Sequence, residues 1–421
     1  MNPAPTVLLI GGVDAHLERF HALGAKTVLI QHPDKITPYQ SRTAHALLML
    51  DYTDWETVRP FAEAARDVYG ADAVVSLTEP GLNTAARLAD LFGLSDGRRH
   101  EASRRMRDKY LMRRHLAEQG LPVPEHGLVD DRASLAAFGE RAGYPFIVKP
   151  VSTTAGFGLL RVDGPRDLDS VWARIERMQG GRTDRGSTMF TVDGFLMESY
   201  IDGPEFSVES LSFAGRHVVV AVTEKLTDDA HFAELGHVVP ARLSDTDRSR
   251  LTTAVQDFLT AMDVTDGPSH TEIRLSARGP MVIESHNRLG GGHIPELVRA
   301  AYGIDLIAYG AAWPLGLTEP LAAPPEPTAA AVTRFVLREP GTVTAVHGVE
   351  EVAARPEVLL AQVSVRPGDT VRELRDNWDR LGSVAVTAAD PDSAVRLCEH
   401  LVREEIRIDV APAVQEGLRA A

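Results

Sequence analysis

Glu272 and Glu284 offer the sharpest chemistry in the chain. Glu272 lies in the run His270-Thr-Glu-Ile-Arg-Leu275 and Glu284 closes Pro280-Met-Val-Ile-Glu284. Both runs read as strands, and Ala277-Arg278-Gly279 between them suits a type I turn followed by a left-handed glycine. Pairing Ser276 with Pro280 sets Arg274 opposite Val282 and Glu272 opposite Glu284. Two carboxylates then face each other on one side of a hairpin, which is destabilising unless something intervenes. Magnesium answers that need, because it is a hard cation that takes carboxylate and phosphate oxygens together. A register slip would instead turn one glutamate to solvent.

Other groups gather round this hairpin in sequence. Arg288, four residues past Glu284, is placed to clamp a phosphate or a developing oxyanion. Gly290, Gly291 and Gly292 follow, and their amides can approach an anion closely. Upstream, Lys149 ends the apolar run Phe146–Lys149 and precedes a loop containing Gly156 and Gly158, a combination suited to nucleotide phosphates. No G-x-x-x-x-G-K-[ST] loop is present, and the partial likeness Gly24-Ala25-Lys26-Thr27 leads into a strand rather than a helix. The stretch Phe195–Glu209 reads as a strand, a linker and a second strand. Its backbone could meet an adenine edge and its carboxylates a ribose.

The elements that must carry these groups fall into three regions. Residues 6–10, 28–31 and 73–78 repeat a plan of buried strand, turn and helix, so the first hundred residues read as a Rossmann-like α/β domain. Gly11-Gly12 is not a G-x-G-x-x-G fingerprint and reads as a structural turn. Glu79 follows the 73–78 run, where α/β sheets present ligands; a helix N-terminal carboxylate is the alternative. A charged amphipathic helix is expected over 103–120, stopped by Gly120, Pro122 and Pro124. Residues 179–187 read as a mobile surface loop. The proline-rich stretch 315–331 reads as an interdomain linker. Beyond it, 332–337, 359–365 and 382–387 look like strands of a third, α+β unit. The expected domains are 1–104, 105–318 with a lid subdomain near 125–200, and 319–421.

Composition narrows the classes of function. Lys+Arg 44 against Asp+Glu 59 leaves a net charge of −15. That balance speaks against a general nucleic-acid binder, since no positive field draws phosphates from a distance. One cysteine, Cys398, forbids an internal disulfide and a cysteine-built zinc cage. No signal peptide and no apolar run of roughly 18 residues is seen, so a soluble cytoplasmic protein without membrane partners is expected. Only five lysines occur, at 26, 35, 109, 149 and 225.

In this order, the motifs between about 105 and 312 resemble the ATP-grasp superfamily of carboxylate–amine ligases. The resemblance implies an ATP-grasp fold between an N-terminal α/β domain and a small C-terminal domain. It implies that Lys109 and Lys149 hold the phosphates of ATP, with Gly156 and Gly158 in the lid loop over them. Glu198, Tyr200 and Ile201 would belong to the adenine-binding linker, and Glu205 would take the ribose. Glu272 and Glu284 would ligate magnesium or manganese, and Arg288 would stabilise the acyl-phosphate chemistry. One departure stands out: where many members carry Asn two residues after the second metal glutamate, this chain has His286, with Asn287 next. Asn287 is then the candidate third ligand, since imidazole suits magnesium poorly.

Within the superfamily the chain is most similar to the amino-acid ligases that make dipeptides. The segments carrying this are Thr223-Glu224-Lys225, Glu234-Leu-Gly-His237-Val-Val-Pro240, and the start of the C-terminal region at 332–337. The resemblance assigns Lys225 to the nucleotide site and Glu234, His237, Gly291 and Glu79 to the substrates. Glu234 would pair with a substrate ammonium, and His237 would contact a carboxylate or assist deprotonation; a strand-end histidine bonded to backbone is the alternative for His237. The implied reaction joins an amino-acid carboxylate to an amine through an acyl phosphate. The implied partners are small amino-acid or other carboxylate and amine substrates, in a protein that, like many such ligases, could be a homodimer. The rival readings are a carboxylase, a ligase for another metabolite carboxylate, and a nucleotide-binding protein without turnover.

Overall fold

A computed structural model describes residues 3–185, 188–228 and 232–412. Residues 186–187, within the expected loop at 179–187, lie outside the described residues. On either side of them Arg182–Arg185 and Thr188–Thr191 pair as an antiparallel hairpin, so the loop reading gives way to two short strands.

The N-terminal region is a parallel four-stranded sheet in the order Ala46–Met49, Lys26–Gln31, Thr6–Ile10, Ala73–Val75. Thr6–Ile10 is buried along its whole length, as a central parallel strand with helices on both faces must be. The fourth strand ends at Val75, three residues earlier than its sequence suggests. Ser76 turns back on itself there, its hydroxyl donating to the Thr78 carbonyl at 3.0 Å, and the chain enters a short 3-10 turn at Glu79–Gly81.

The expected helix over 103–120 is two helices, Arg99–Arg107 and Lys109–Glu118. Asp108 breaks them. Its carboxylate accepts from the backbone N–H of Tyr110 at 2.9 Å and of Leu111 at 3.0 Å, a side-chain cap that starts a new helix. The break puts Lys109 on the first turn of the second helix, facing the loop after Lys149.

The lid is a four-stranded antiparallel sheet, ordered His126–Leu128, Phe195–Ser199, Phe146–Pro150, Leu160–Val162. Helices Arg132–Ala142 and Leu168–Met178 pack on it through Phe138, Phe146, Phe195 and Ile175.

The main body is an antiparallel sheet of eight strands among the described residues. From one edge they run Gly279–His286, Gly267–Ser276, Glu205–Phe213, Arg216–Thr227, Glu234–Val239, Ala330–Val336, Gly382–Ala388 and Val358–Val363. The strands expected to form a separate third unit therefore extend the central sheet. The proline-rich stretch before them is tied down as well. Thr328 donates its N–H to the Ala301 carbonyl at 2.8 Å, and Arg216 reaches the Leu321 carbonyl at 2.5 Å. A smaller sheet of Thr370–Val371, Gly341–His347 and Arg407–Pro412 completes the C-terminal region.

Cys398 sits in that region at 0% exposure, with its Sγ 3.3 Å from the Val384 carbonyl. Burial pushes its thiol up to about 12. At pH 8 the folded protein should therefore leave a thiol reagent unreacted, and one equivalent should react on unfolding. Rapid labelling of the native chain would contradict this burial.

Candidate active site

The glutamate hairpin forms, and the two carboxylates come together by a route the sequence hides. The turn holds two residues, not three: Ser276 pairs with Gly279, Arg274 with Met281 and Ile273 with Val282. Carried on, that register would set Glu272 beside Ile283. A bulge between Glu272 and Ile273 inserts one residue and restores the Glu272–Glu284 pairing. Such a bulge re-aims side chains at the cost of one ladder bond.

Three buried lysines meet these and neighbouring carboxylates. Lys109 Nζ lies 2.9 Å from Glu284 and donates to the Thr153 carbonyl at 2.6 Å, so it joins the metal-candidate carboxylate to the lid loop. Lys225 Nζ sits 3.0 Å from Glu205, 2.9 Å from Glu234 and 2.9 Å from Glu272. Burial alone would lower Lys225, but the three carboxylates outweigh it and hold the ammonium well above its ordinary range. Lys149 Nζ lies 2.5 Å from Glu198, whose other oxygen takes Arg113 Nε at 2.9 Å. Burial opposes ionisation of Glu198, and the two cations overcome it, holding its carboxyl at about 2.

These groups surround a cavity of about 200 Å³ between lid and main sheet. Of the residues picked out from sequence, Lys149, Gly156, Glu198, Tyr200, Ile201, Glu205, Lys225, Glu234, Glu272, Glu284, Arg288 and Gly291 line it. Gly292 lines it too, whereas Lys109, Gly158, His237, Asn287 and Glu79 do not. Gly158 packs on Pro150, where a Cβ would come within 2.9 Å of that ring. His237 is 1% exposed and lies within the strand Glu234–Val239, with Nδ1 3.0 Å from the Gly292 carbonyl and Nε2 3.5 Å from Glu234. Asn287 is not in the wall, and its buried Oδ1 has no hydrogen-bond partner among the described residues.

Several side chains point elsewhere than their sequence roles suggest. The Glu198 carboxylate is held between Arg113 and Lys149, so its charge is already matched within the protein. Glu205 is held by Arg274 at 3.0 Å as well as by Lys225. Glu234 is already matched by Lys225 and by Arg380 at 3.2 Å, which leaves it a poor lone receptor for an ammonium. Glu79 does not touch the cavity. It takes Arg107 at 2.9 Å, Arg288 at 2.6 Å and His286 at 2.9 Å. Burial resists its charge, and His286, Arg288 and Arg107 hold its carboxyl well below the usual range. Its work is to fix Arg288, whose Nη2 also reaches the Thr154 hydroxyl at 3.5 Å.

The structure adds residues that sequence reasoning passes over. Arg113 is 0% exposed and also donates to the Ile283 carbonyl at 2.8 Å. It lies four residues after Lys109, on the same helix face, and that spacing is the available signal. Arg274 donates to the Tyr200 hydroxyl at 3.0 Å and the Ile201 carbonyl at 2.8 Å, so it staples the linker to the main sheet. Asn377 and Arg380 reach the cavity from the C-terminal region, with no local motif to announce them. Phe157 of the lid loop lies 5.4 Å from the Trp378 ring, which holds that loop against the same C-terminal segment.

Three family models match the chain in succession: an ATP-grasp N-terminal domain over residues 17–95, an ATP-grasp domain over 142–296 and an L-amino acid ligase C-terminal domain over 334–411. An uncharacterized protein of Sinorhizobium fredii is 29% identical over 340 residues, covering 80% of this chain and 68% of that protein. The L-arginine-specific L-amino acid ligase of Bacillus subtilis is 25% identical over 271 residues, 64% of this chain and 63% of the ligase. The chain thus spans about two thirds of the length of each relative. The crystal structure of an L-amino acid ligase from Bacillus licheniformis superposes with a TM-score of 0.81 at 22% identity, covering 98% of this chain and all of that one. With the cavity and its charged walls, these matches define an ATP-dependent carboxylate–amine ligase. Segment by segment, the chain is similar to the ATP-grasp superfamily and, within it, to the group that carries the L-amino acid ligase C-terminal domain. No helix among the described residues is long and apolar enough to cross a membrane.

Proposed function

We propose that the protein uses ATP to join the carboxylate of one amino acid to the amine of a second. The observation that carries this reading is one cavity lined by Lys149, Glu272, Glu284 and Arg288 together with Asn377 and Arg380 from the C-terminal region. The first four suit phosphoryl transfer. The last two put a second, polar wall within reach of an acceptor. We read residues 1–104 as a Rossmann-like N-terminal domain, 105–318 as the ATP-grasp domain and 319–421 as the C-terminal domain.

The donor set fits a divalent cation. Glu272 and Glu284 supply hard oxygens side by side, and Asn287, three residues past Glu284, has a buried Oδ1 without a hydrogen-bond partner among the described residues. Among the described residues no trio of His, Cys, Asp or Glu converges on one point, so carboxylate and amide oxygens are the available set. Magnesium held there would neutralise phosphate charge, alongside the ammonium groups of Lys109 and Lys225 that flank the two glutamates.

In the reaction, an oxygen of the first substrate's carboxylate attacks the γ-phosphorus, the bond to the β-phosphate oxygen breaks, and ADP leaves. Lys149 on the cavity wall holds the phosphates, Lys109 supports Glu284 and the Thr153 carbonyl from behind, and Arg288, fixed by Glu79, meets the charge on the transferred group. The free amine then attacks the acyl carbon, inorganic phosphate leaves with the bonding pair, and the amine gives up a proton. The lid loop, held by Lys109 and Trp378, keeps water from the acyl phosphate. Catalysis here is mostly positioning and charge neutralisation.

The test is magnesium-dependent release of ADP and phosphate across pairs of amino acids, starting with L-arginine because the Bacillus subtilis relative is named for it. Release should require a carboxylate and an amine together, and hydroxylamine should trap the activated acid as a hydroxamate. Release that needs bicarbonate instead would overturn the proposal, as would none on a broad panel.

A further inference from the structure

The two candidate metal glutamates are backed by matching groups. His270 stands two residues before Glu272 and His286 two residues after Glu284. Because strand side chains alternate, each histidine shares a face with its glutamate. Across the hairpin His270 pairs with His286 just as Glu272 pairs with Glu284. His270 Nε2 lies 3.3 Å from Glu272 Oε1, and its Nδ1 is 3.0 Å from both oxygens of Glu209. His286 Nε2 lies 3.2 Å from Glu284 Oε1, and its Nδ1 is 2.9 Å from Glu79 Oε2. Each line therefore reads carboxylate, imidazole, carboxylate, with the Glu79–His286 link a close charge contact rather than a hydrogen bond.

The surroundings are built to hold both lines. Glu209 is 1% exposed and accepts the Ser207 hydroxyl at 2.7 Å. Gly290 leaves the space beside it open: a Cβ there would fall 2.8 Å from His270 Nδ1 and 3.1 Å from Glu209 Oε2. That gives the first glycine of the triplet a reason of its own. The second line starts in the N-terminal region at Glu79 and ends on the far hairpin at Glu284, so it crosses from one region of the molecule to another.

Resting on the metal reading above, we propose that His270 and His286 are positioning residues, not ligands, and that each fixes the rotation of one metal-binding glutamate through its Oε1. A ligand held by a second group loses less freedom when the ion arrives, and outer partners of this kind are commonly worth about 10–100-fold in metal affinity. His286 stands two residues past Glu284, and there it orients a ligand from behind. The Glu79 line also makes the metal glutamate sensitive to the seating of the N-terminal region.

The experiment uses the full chain with Mn²⁺ and ADP, reading free Mn²⁺ by electron paramagnetic resonance. His270→Ala and His286→Ala should each weaken Mn²⁺ binding by about 10–100-fold. His286→Gln, which keeps a donor near the Nε2 position, should recover a fraction of that loss. Spin-echo modulation of the wild-type Mn²⁺–ADP complex should lack the coupling of a directly bound imidazole nitrogen, a measurement that needs no variant to fold. Alanine variants that bind Mn²⁺ within twofold of wild type would overturn the positioning role. So would a bound-nitrogen signal in the wild type. No Mn²⁺ binding by the wild type would remove the metal reading itself and the inference with it.

Discussion

Glu284→Gln should lower ADP release by on the order of a thousandfold, equivalent to about 4 kcal/mol of transition-state stabilisation. Glutamine keeps the volume and one oxygen, so the hairpin and its bulge can persist, but the charge that would hold a cation is gone. Lys109 loses its carboxylate partner yet keeps the Thr153 carbonyl, which limits the structural damage. The check is a steady-state assay at saturating magnesium beside a circular dichroism spectrum. A folded variant retaining more than a tenth of wild-type turnover would show that Glu284 is not a metal ligand. Glu284→Asp should fall between the two, because the charge remains while its reach shortens.

The second large effect is on stability. Glu198→Gln leaves Arg113 and Lys149 buried beside each other without the carboxylate they share, and breaking a buried pair from one side costs roughly 3–5 kcal/mol. Chemical denaturation at pH 7 should show a loss of that order. The sign with pH follows from the carboxyl being held at about 2, below its ordinary value near 4.5. Its contribution is complete above about pH 4.5 and is lost as the pH falls toward 2. The gap between wild type and variant should therefore narrow through that window. A gap that stays constant from pH 7 to pH 3 would mean the ion triad is not its source.

How far the chain can be read depends on whether a feature is local. The glutamate hairpin is local: alternation, a turn residue and two carboxylates suffice to pair Glu272 with Glu284. The pairing holds although the turn is one residue shorter than expected, because a bulge supplies the missing residue. Nothing near Ile273 signals that bulge, since it depends on what the sheet must face. The Ala46–Met49 strand escapes a sequence reading for the opposite reason. Its Ala-Leu-Leu-Met sequence lacks the β-branched residues that favour strands, and neighbouring Val28–Gln31 imposes the conformation. The stretch 103–120 reads as one helix because its charge pattern hardly changes at Asp108, and the cap acts through a single side chain. Site residues on the cavity wall are mostly legible as residues. What each side chain does is less so: Glu198, Glu205 and Glu234 look like ligand contacts in sequence, and each is claimed by cations from distant segments.

The continuous eight-stranded sheet bears on how such enzymes can be recombined. A crossover placed in the proline-rich stretch would look harmless in sequence, since it falls between family domains. In the structure it would separate a pair of hydrogen-bonded neighbours, Glu234–Val239 and Ala330–Val336. The newly bare edge would carry Glu234 and His237 and offer unpaired backbone to other chains, a familiar route to aggregation. Asn377 and Arg380 would leave with the excised segment. Part of the cavity wall and sheet integrity are thus inherited together, and a graft of the last hundred residues must bring a matching partner strand to keep either.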